Sequence, residues 1–394
     1  MKQDLMNDIG DLDDVSNLLK SAFVARDEFI EMMIICAIAQ EHLLIVGPPG
    51  TAKSEMVKKF ALLCSPREAY EDDSKVPYFE YLLTRFTEPN EIFGPVDIKK
   101  FQDEKEHRRK TDGMLPKAEI AFLDEIFKSN SAILNALLTI LNERVYYNAG
   151  KPEQVPLLCS IAATNEVPED SSLAALYDRY LVRMWADNVE DSKFSQLYKK
   201  GWELEKQRIR AGYKAEQVNV TSIDKIRNIY LALDEVDISK ISRNYHEAIR
   251  RIRAEGINVS DRRVIKLLKL IAASALRAKR MEANTGDFWI LKHIWNVPEQ
   301  IPYLQTIIEP YLEGFEQNMW SAERDLETIN AEINTLESKQ KLLKTDADYA
   351  DFLKQAENIR KELIAHSSET EKQNIIDKLN NIIQLAMDML EQHG

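Results

Sequence analysis

One short segment limits what this chain can fold into more than any other. Residues 47–54 read Gly-Pro-Pro-Gly-Thr-Ala-Lys-Ser, and they lie between the apolar run 43–46 and a helical pattern that begins at Ser54. The backbone N–H groups of such a loop, and the start of the helix after it, can face a phosphate group. The segment therefore predicts a phosphate-binding loop within an α/β fold.

The first 200 residues alternate short apolar runs with helical patterns. The runs that we predict to be strands are residues 43–46, 78–83, 120–123 and 157–163. Helical patterns lie among them, for example at residues 54–64 and 132–143. Strands that are apolar on both faces are typical of a parallel sheet covered by helices on each side. We therefore expect a three-layer α/β domain over residues 1–200.

The strand signals stop at about residue 201. Residues 223–255 and 261–283 show helical patterns, so we expect an all-α lid domain over residues 201–305. Residues 306–394 carry charged helices with apolar stripes at heptad-like spacing, which predicts a helical hairpin or coiled-coil arm that folds back near residues 345–348. The stripe residues are Leu326, Ile329, Ile333 and Leu336, then Phe352, Ala356, Ile359 and Leu363.

The loop predicts the first half of a nucleotide site. Lys53 would contact the β- and γ-phosphates, and the Ser54 hydroxyl would hold Mg²⁺. Ala52 stands where such a loop usually has its second glycine. The residues that we predict to surround the phosphates are Gly47, Pro48, Pro49, Gly50, Thr51, Ala52, Lys53, Ser54 and Glu55.

Two further apolar runs end in polar residues that would complete this site. Residues 120–123 are followed by Asp124, which would orient Mg²⁺, and by Glu125, which would polarise the attacking water. The run 157–163 leads to Asn165, whose amide could hold a γ-phosphate oxygen or that water. An acidic pair after an apolar run is a weak signal alone, because helix N-termini favour acidic residues. The loop upstream makes the signal specific.

Composition argues against several other classes of protein. The 394 residues include 52 Lys and Arg against 65 Asp and Glu, and a net charge of −13 argues against a dedicated nucleic-acid binder. The three cysteines are too few and too scattered to predict a disulfide framework or a zinc site. We see no signal peptide and no apolar stretch of membrane-spanning length, so we expect a cytoplasmic protein without membrane contact.

The order of these motifs resembles that of AAA+ ATPases. The Ala-Lys-Ser form of the loop is similar to the MoxR and chelatase branch of that superfamily. Longer segments within residues 15–300 resemble the RavA subfamily of MoxR proteins, namely residues 81–86, 91–95, 132–144, 175–179 and 259–263. RavA proteins are longer and carry a β-rich insertion after the lid. Residues 306–394 show only helical patterns, so partners that bind through that insertion are not implied here.

The resemblance assigns roles to further residues. It implies that Asn165 is the sensor 1 residue and that Arg179 is the arginine finger, which reaches the γ-phosphate bound by a neighbouring subunit. From the residues alone, Arg179 could instead pair with a nearby carboxylate. Arg262 matches the sensor 2 position, which would sense the phosphate in cis, but Arg263 is adjacent and the sequence leaves that choice open. The charged residues 103–110 would belong to an insert facing a ring channel, where they could contact an acidic partner or form a solvated hairpin tip.

These expectations lead to one main function and two alternatives. The main hypothesis is a Mg²⁺-dependent ATP hydrolase that assembles as a ring, a hexamer by resemblance, and remodels or matures protein complexes through lid motion. Resemblance also implies a protein client and a partner with a von Willebrand factor A domain. The alternatives are an ATP-gated scaffold with incidental hydrolysis and a nucleic-acid motor, against which the net charge argues. The sequence leaves the client and the choice of ATP over GTP open.

Overall fold

The computed structural model describes most of the chain. The described residues are 2–65, 77–211, 220–312, 326–340 and 369–393, together with positions 348, 349, 352, 353, 356, 359, 360 and 363. They belong to two compact units, residues 1–316 and residues 317–394. The boundaries predicted at residues 200 and 305 stay predictions. No helix among the described residues is both long and apolar enough to cross a bilayer.

The first unit contains a five-stranded parallel sheet. The strands of the chain are β1 Leu43–Val46, β2 Tyr78–Leu82, β3 Ile120–Asp124, β4 Val145–Asn148, β5 Lys151–Gln154, β6 Cys159–Thr164 and β7 Val182–Trp185. The sheet order is β2-β3-β6-β1-β7, and every residue of β1 and β6 is buried, as expected for a sheet covered on both faces. The predicted strands are confirmed as β1, β2, β3 and β6. β7 was not predicted, because Arg183 interrupts its apolar pattern.

Helices cover the sheet in the same unit. Their bounds are α1 Lys2–Ala22, α2 Asp27–Ala39, α3 Lys53–Leu63, α4 Pro89–Phe93, α5 Ile98–Glu104, α6 Ser131–Glu143, α7 Ala174–Tyr177 and α8 Phe194–Ala211. α6 starts where it does because Asn130 accepts hydrogen bonds from the N–H groups of Ala132 and Ile133 at 3.1 and 3.2 Å. α2 is buried from Phe29 to Ala39, so it acts as a core helix.

A small antiparallel pair, β4 with β5, lies beside the charged insert. The Arg108 guanidinium donates to Glu153 of β5 at 2.7 Å. The Arg109 guanidinium donates to the side chain of Asn90 at 2.5 Å and to the Gly94 carbonyl at 2.7 Å. These contacts engage Arg108 and Arg109 within the chain, and the choice between a basic surface for an acidic partner and a solvated hairpin tip stays a prediction.

The lid region is helical, but its helices are shorter than the sequence pattern suggested. Its elements are α9 Ile223–Leu231, α10 Ser242–Ala254, α11 Asp261–Arg277, a 3₁₀ segment Thr285–His293, and α12 Ile301–Leu312. The helix predicted over residues 223–255 is divided between α9 and α10. The Asp237 side chain accepts from the N–H of Ser239, and its backbone pairs with Glu282, so this stretch forms a connection rather than a continuous helix.

The helix predicted over residues 261–283 ends early, at Arg277. Lys279 has a φ of 59°, and the N–H of Arg280 turns back to the Ala275 carbonyl. The buried Asp287 carboxylate then accepts from the Arg280 guanidinium at 2.7 Å. This pair comes from tertiary packing, so the helical pattern alone could not reveal where the chain would leave α11.

Buried carboxylates in α2 and just before β1 form ion pairs with α11. Glu41, which precedes β1 and is 2% exposed, pairs with Lys266 at 2.6 Å and with Lys269 at 2.5 Å. Glu31 of α2 pairs with Arg277 at 3.1 Å and is also buried. Breaking such a buried pair from one side costs about 3–5 kcal/mol. These contacts hold the lid helix against its own core.

The second unit is helical and has its own apolar core. Its longer helices are α13 Leu326–Gln340 and α14 Glu369–His393. The predicted stripes meet a third segment in one buried cluster, formed by Ile329, Ile333, Leu336, Phe352, Ala356, Ile359, Leu363, Leu379, Ile382 and Ala386. The helical character predicted for the C-terminal region is therefore confirmed, with α14 contributing to the core of this unit. The Leu326 side chain and the predicted break, apart from Asp348, lie outside the described residues.

Candidate nucleotide-binding site

The loop of residues 47–54, called the cradle below, follows the carboxyl end of β1. The N–H of Gly47 donates to the Thr164 carbonyl at the end of β6, and its φ is 149°. A side chain on Gly47 would collide with the carbonyl of Ala186, which follows β7. This tight approach explains why the loop begins with glycine.

Ala52 occupies the position just before α3 in the left-handed conformation, with a φ of 59°. This conformation costs a residue with a side chain about 1–2 kcal/mol, and glycine avoids that cost. The geometry therefore explains why glycine is usual at this position. Ala52 nevertheless adopts the same turn, so the departure noted in the sequence leaves the course of the loop unchanged.

Lys53 begins α3 and folds over the loop that precedes it. Its Nζ donates to the Gly47 carbonyl at 2.7 Å and to the Pro48 carbonyl at 3.1 Å. Burial lowers the pKa of Lys53, although the carboxylates of Asp124 and Glu125 act in the opposite direction. The structure thus places the lysine inside the cradle, within electrostatic range of both acidic residues.

Asp124 ends β3, and burial raises the pKa of its carboxyl group. Ser54 lies in the first turn of α3 and is half-buried, while Glu55 beside it is exposed. Mg²⁺ in nucleotide sites is usually held by one or two protein oxygen ligands together with phosphates and water. A hydroxyl at Ser54 and a carboxylate at Asp124 are donors of this kind, so these residues fit the ion.

Glu125 and Asn165 meet at the ends of adjacent strands. The Asn165 Nδ2 donates to Glu125 Oε1 at 2.5 Å, and Lys128 Nζ lies 3.1 Å from the same oxygen. Glu125 itself has a φ of 53°, and its N–H donates to Asp124 Oδ1. Three polar side chains therefore converge next to the cradle. Lys128 was not predicted, although its place three residues after Glu125 is a signal that could have been used.

Arg179 and Arg262 lie at the other edge of the sheet. Arg179 comes three residues before Val182, which pairs with Leu43 at the start of β1, whereas the cradle follows Val46 at its end. At about 3.3 Å per residue, β1 alone separates the two edges by about 10 Å. Burial lowers the pKa of Arg179, and the charge of Arg262 lowers it further, so the two guanidinium groups lie within electrostatic range of each other.

We call the surface around Arg179 and Arg262 the arginine edge. Arg262 donates to Asn142, near the end of α6, and is exposed. The Nε of Arg179 is buried and has no hydrogen-bond partner among the described residues, and Asp178 lies 3.8 Å from its Nη1. Arg263 differs, because it is 3% exposed and donates to the Ile294 and Asn258 carbonyls. Of the adjacent pair, only Arg262 is free to face outward.

Comparison with known proteins assigns the chain to a family. Residues 10–228 match the family model of the MoxR domain in the MoxR-vWA-beta-propeller ternary systems. The chain belongs to the MoxR family. Residues 223–308 match an AAA lid domain, so this MoxR chain is of the AAA+ type, as the motif order indicated. The finer resemblance to the RavA subfamily stays a prediction.

Relatives of this MoxR chain occur in an archaeon and in a virus. An uncharacterized protein of Methanocaldococcus jannaschii is 38% identical over 292 residues, 73% of this chain and 72% of the relative. A second uncharacterized protein of that organism is 32% identical and covers 96% of this chain and 98% of its own length. A structural protein of Acidianus two-tailed virus is 23% identical over 93% of this chain and 63% of its own. The second relative extends through the helical arm.

A solved structure supports the fold. The crystal structure of a proposed ATPase from Cytophaga hutchinsonii matches 79% of this chain and 96% of its own, with a TM-score of 0.60 and 18% identity. At this identity the likeness concerns the fold alone. It agrees with the parallel sheet and the helical lid described above.

Proposed function

We propose that this MoxR chain is a Mg²⁺-dependent ATP hydrolase that works as a ring, with each site formed by two subunits. One observation carries the proposal. The cradle, Asp124, Glu125 and Asn165 gather at one edge of the sheet, while Arg179 and Arg262 lie at the opposite edge, within electrostatic range of each other. A complete site then needs the cradle of one subunit and the arginine edge of the next.

The residues at the cradle edge suit hydrolysis of a phosphoanhydride. Lys53 would bind the β- and γ-phosphates when its Nζ leaves the loop carbonyls. Glu125 would accept a proton from water as that water attacks the γ-phosphorus and the bond from this phosphorus to the β–γ bridging oxygen breaks. Asn165 would orient Glu125 and the water. The products are ADP and phosphate. Ser54 and Asp124 would hold Mg²⁺, which would supply charge neutralisation at the phosphates.

The residues at the arginine edge suit action in trans. A planar, permanently charged guanidinium can stabilise the charge on a phosphoryl group in transfer. Arg179 would supply it to the neighbour's site, as expected from resemblance. Arg262 was expected to act in cis, but its position beside Arg179 favours a role in the same neighbouring site. Head-to-tail contacts of this kind generate a closed ring when the rotation permits, and a hexamer is our expectation.

In such a ring, the motion produced by hydrolysis would occur between subunits. The lid helix α11 is held to its own core by the buried pairs of Glu41 and Glu31. We therefore propose that hydrolysis changes how one subunit sits on the next, rather than opening the lid away from its own cradle. A protein client would be remodelled by this motion. The matched family model is named for MoxR-vWA systems, which supports a von Willebrand factor A partner.

The test is ATP turnover over a series of protein concentrations, for the wild type, Glu125→Gln, Arg179→Ala and a mixture of both variants. Specific activity should rise with concentration, and both variants should be inactive alone. The mixture should recover turnover, because about a quarter of its head-to-tail interfaces combine an intact cradle with an intact finger. A fully active Arg179→Ala would refute the assignment of Arg179 as the arginine finger. If Glu125→Gln does not hydrolyse ATP but the complex that contains it remains functional, the ATP-gated scaffold would be favoured instead.

A further inference from the structure

Two buried arginines share a single acceptor at the arginine edge. Arg183 of β7 donates to Asn296 Oδ1 at 2.8 Å, and Arg263 of α11 donates to the same oxygen at 2.9 Å. Arg183 and Arg263 are 1% and 3% exposed. Asn296 thus connects a strand of the nucleotide region with the first turn of the lid helix.

The same three residues hold both ends of the segment that carries Arg179. At one end, the Tyr177 hydroxyl donates to the Asn296 carbonyl at 2.7 Å, and the Arg183 guanidinium lies 3.9 Å from the centre of the Tyr177 ring. At the other end, Arg263 donates to the Leu181 carbonyl at 3.4 Å. The finger therefore lies within residues 177–181, a short segment anchored on each side.

The oxygens that satisfy these arginines are neutral. Arg183 donates to the Trp295 carbonyl at 2.5 Å and the Tyr177 carbonyl at 3.2 Å, in addition to the Asn296 amide. Arg263 likewise donates to carbonyl and amide oxygens, and among the described residues neither arginine forms an ion pair with a carboxylate. Burial, and then the charge of Arg263, lower the pKa of Arg183 to about 9. No carboxylate among the described residues pairs directly with the two arginines, although the nearby Asp178 carboxylate acts to raise the pKa of both.

An amide suits this junction better than a carboxylate would. The side-chain oxygen of Asn296 accepts from two guanidinium groups, while its Nδ2 donates to the Asn258 carbonyl at 3.1 Å. A carboxylate would supply the acceptors but lose that donor and cancel part of the positive charge. The geometry therefore favours a residue that orients the arginines without neutralising them.

We propose that Asn296 is a positioning residue: by joining Tyr177, Arg183 and Arg263, it sets the place of the Arg179 finger and makes the finger move with the lid helix. This inference rests on the proposed function, in which Arg179 acts on the site of the neighbouring subunit. Asn296 touches none of the cradle residues in the described contacts, so its effect on hydrolysis is exerted on the neighbouring subunit's site.

The test is complementation between variants. Asn296→Ala removes the shared acceptor, and a finger displaced by about 1 Å can lower kcat about 100-fold, with little change in KM because the cradle is intact. Mixing this variant with Glu125→Gln should recover turnover, since Glu125→Gln subunits supply an intact finger to an intact cradle. Mixing it with Arg179→Ala should recover nothing, because both lesions lie on the same edge.

A second variant covers the case in which Asn296→Ala does not fold. Tyr177→Phe removes only the hydroxyl that bonds Asn296 and keeps the ring beside Arg183, and it should show a smaller loss with the same complementation pattern. Thermal unfolding of each variant identifies a folding defect. Wild-type turnover of folded Asn296→Ala would overturn the inference.

The complementation outcomes also separate the inference from the proposed function. Suppose that Glu125→Gln rescues Arg179→Ala but rescues neither Asn296→Ala nor Tyr177→Phe. The inference about Asn296 then fails, while the proposal of sites shared between subunits stands. If Glu125→Gln does not rescue Arg179→Ala either, the proposal of sites shared between subunits fails, and the inference fails with it.

Discussion

Asn165 and Glu125 are forty residues apart in the chain, yet the Asn165 amide donates to the Glu125 carboxylate at 2.5 Å. The contact arises because β3 and β6 are parallel neighbours, so the residues just beyond them emerge at the same edge of the sheet. This relationship turns two separate sequence motifs into one candidate catalytic group beside the cradle.

Replacement of Glu125 should separate binding from hydrolysis. Glu125→Gln keeps an acceptor for Asn165 but cannot take a proton from water, so we expect ATP turnover to fall about 10²–10⁴-fold while nucleotide affinity is retained. Phosphate release and titration with a fluorescent ATP analogue measure the two quantities. Glu247→Gln, on the surface of α10, is the matched control and should behave as wild type. Unchanged turnover in Glu125→Gln would show that Glu125 does not take part in ATP hydrolysis.

Two glycines of the cradle should respond differently to alanine. Gly47→Ala places a methyl group against the Ala186 carbonyl, and we expect a cost of about 2–4 kcal/mol from overpacking and backbone strain. Gly50→Ala meets no atom within 4 Å, so only the strain of its positive φ remains, about 1 kcal/mol. Urea unfolding of both variants compares the two costs. Equal destabilisation would contradict the close approach of Gly47 to Ala186.

The pairing of Glu41 with the lid helix predicts a large loss of stability. Replacing both Lys266 and Lys269 by alanine leaves a buried carboxylate without its two ion-pair partners, and we expect the free energy of unfolding to fall by about 3–5 kcal/mol. Lys240→Ala removes an exposed pair with Glu282 and should cost less than about 1 kcal/mol. Denaturant unfolding gives both values. A loss as small as that of Lys240→Ala would show that the lid is held by its apolar face alone.

Glu28 should contribute to acid sensitivity. Burial acts to raise the pKa of Glu28, but His293 and Lys292 outweigh it and lower that pKa to about 2. A carboxylate whose pKa is lower in the folded state stabilises the protein above its unfolded pKa of about 4.5 and loses that contribution as the pH falls toward 2. The side chain is half-exposed, so solvent screening keeps the effect modest. Unfolding measured between pH 5 and pH 2 should show a shallower decline for Glu28→Gln than for wild type. An identical decline would argue against the pairing with His293.

Much of the cradle edge could be predicted from the sequence because its signals are local. Glycines and prolines end β1, Lys53 and Ser54 open the helix after it, and Asp124 follows a run of apolar residues. Each of these features depends on neighbours within a few positions. The four strands that carry such signals were all found, whereas β7 was missed because its buried Arg183 looks like a surface residue in the sequence.

The arginine edge could be predicted only in part. Resemblance pointed to Arg179 and to the pair Arg262 and Arg263, but neighbouring positions in a sequence do not show which side chain is buried. Packing decided that Arg263 bonds carbonyls inside the lid and that Arg262 faces outward. Asn296 carries no local signal, since its importance comes from three partners that lie 33 to 119 residues away.

The sequence by itself determined the phosphate loop, the acidic strand end and the alternation of strands and helices, because short-range sterics and hydrophobic periodicity control these features. Only the tertiary structure decided that the cradle and the arginines occupy opposite edges of one sheet. The physical reason is the register of parallel strands. Since β1 and β7 run side by side in the same direction, the loop at the carboxyl end of β1 is separated from the Arg179 segment at the amino end of β7.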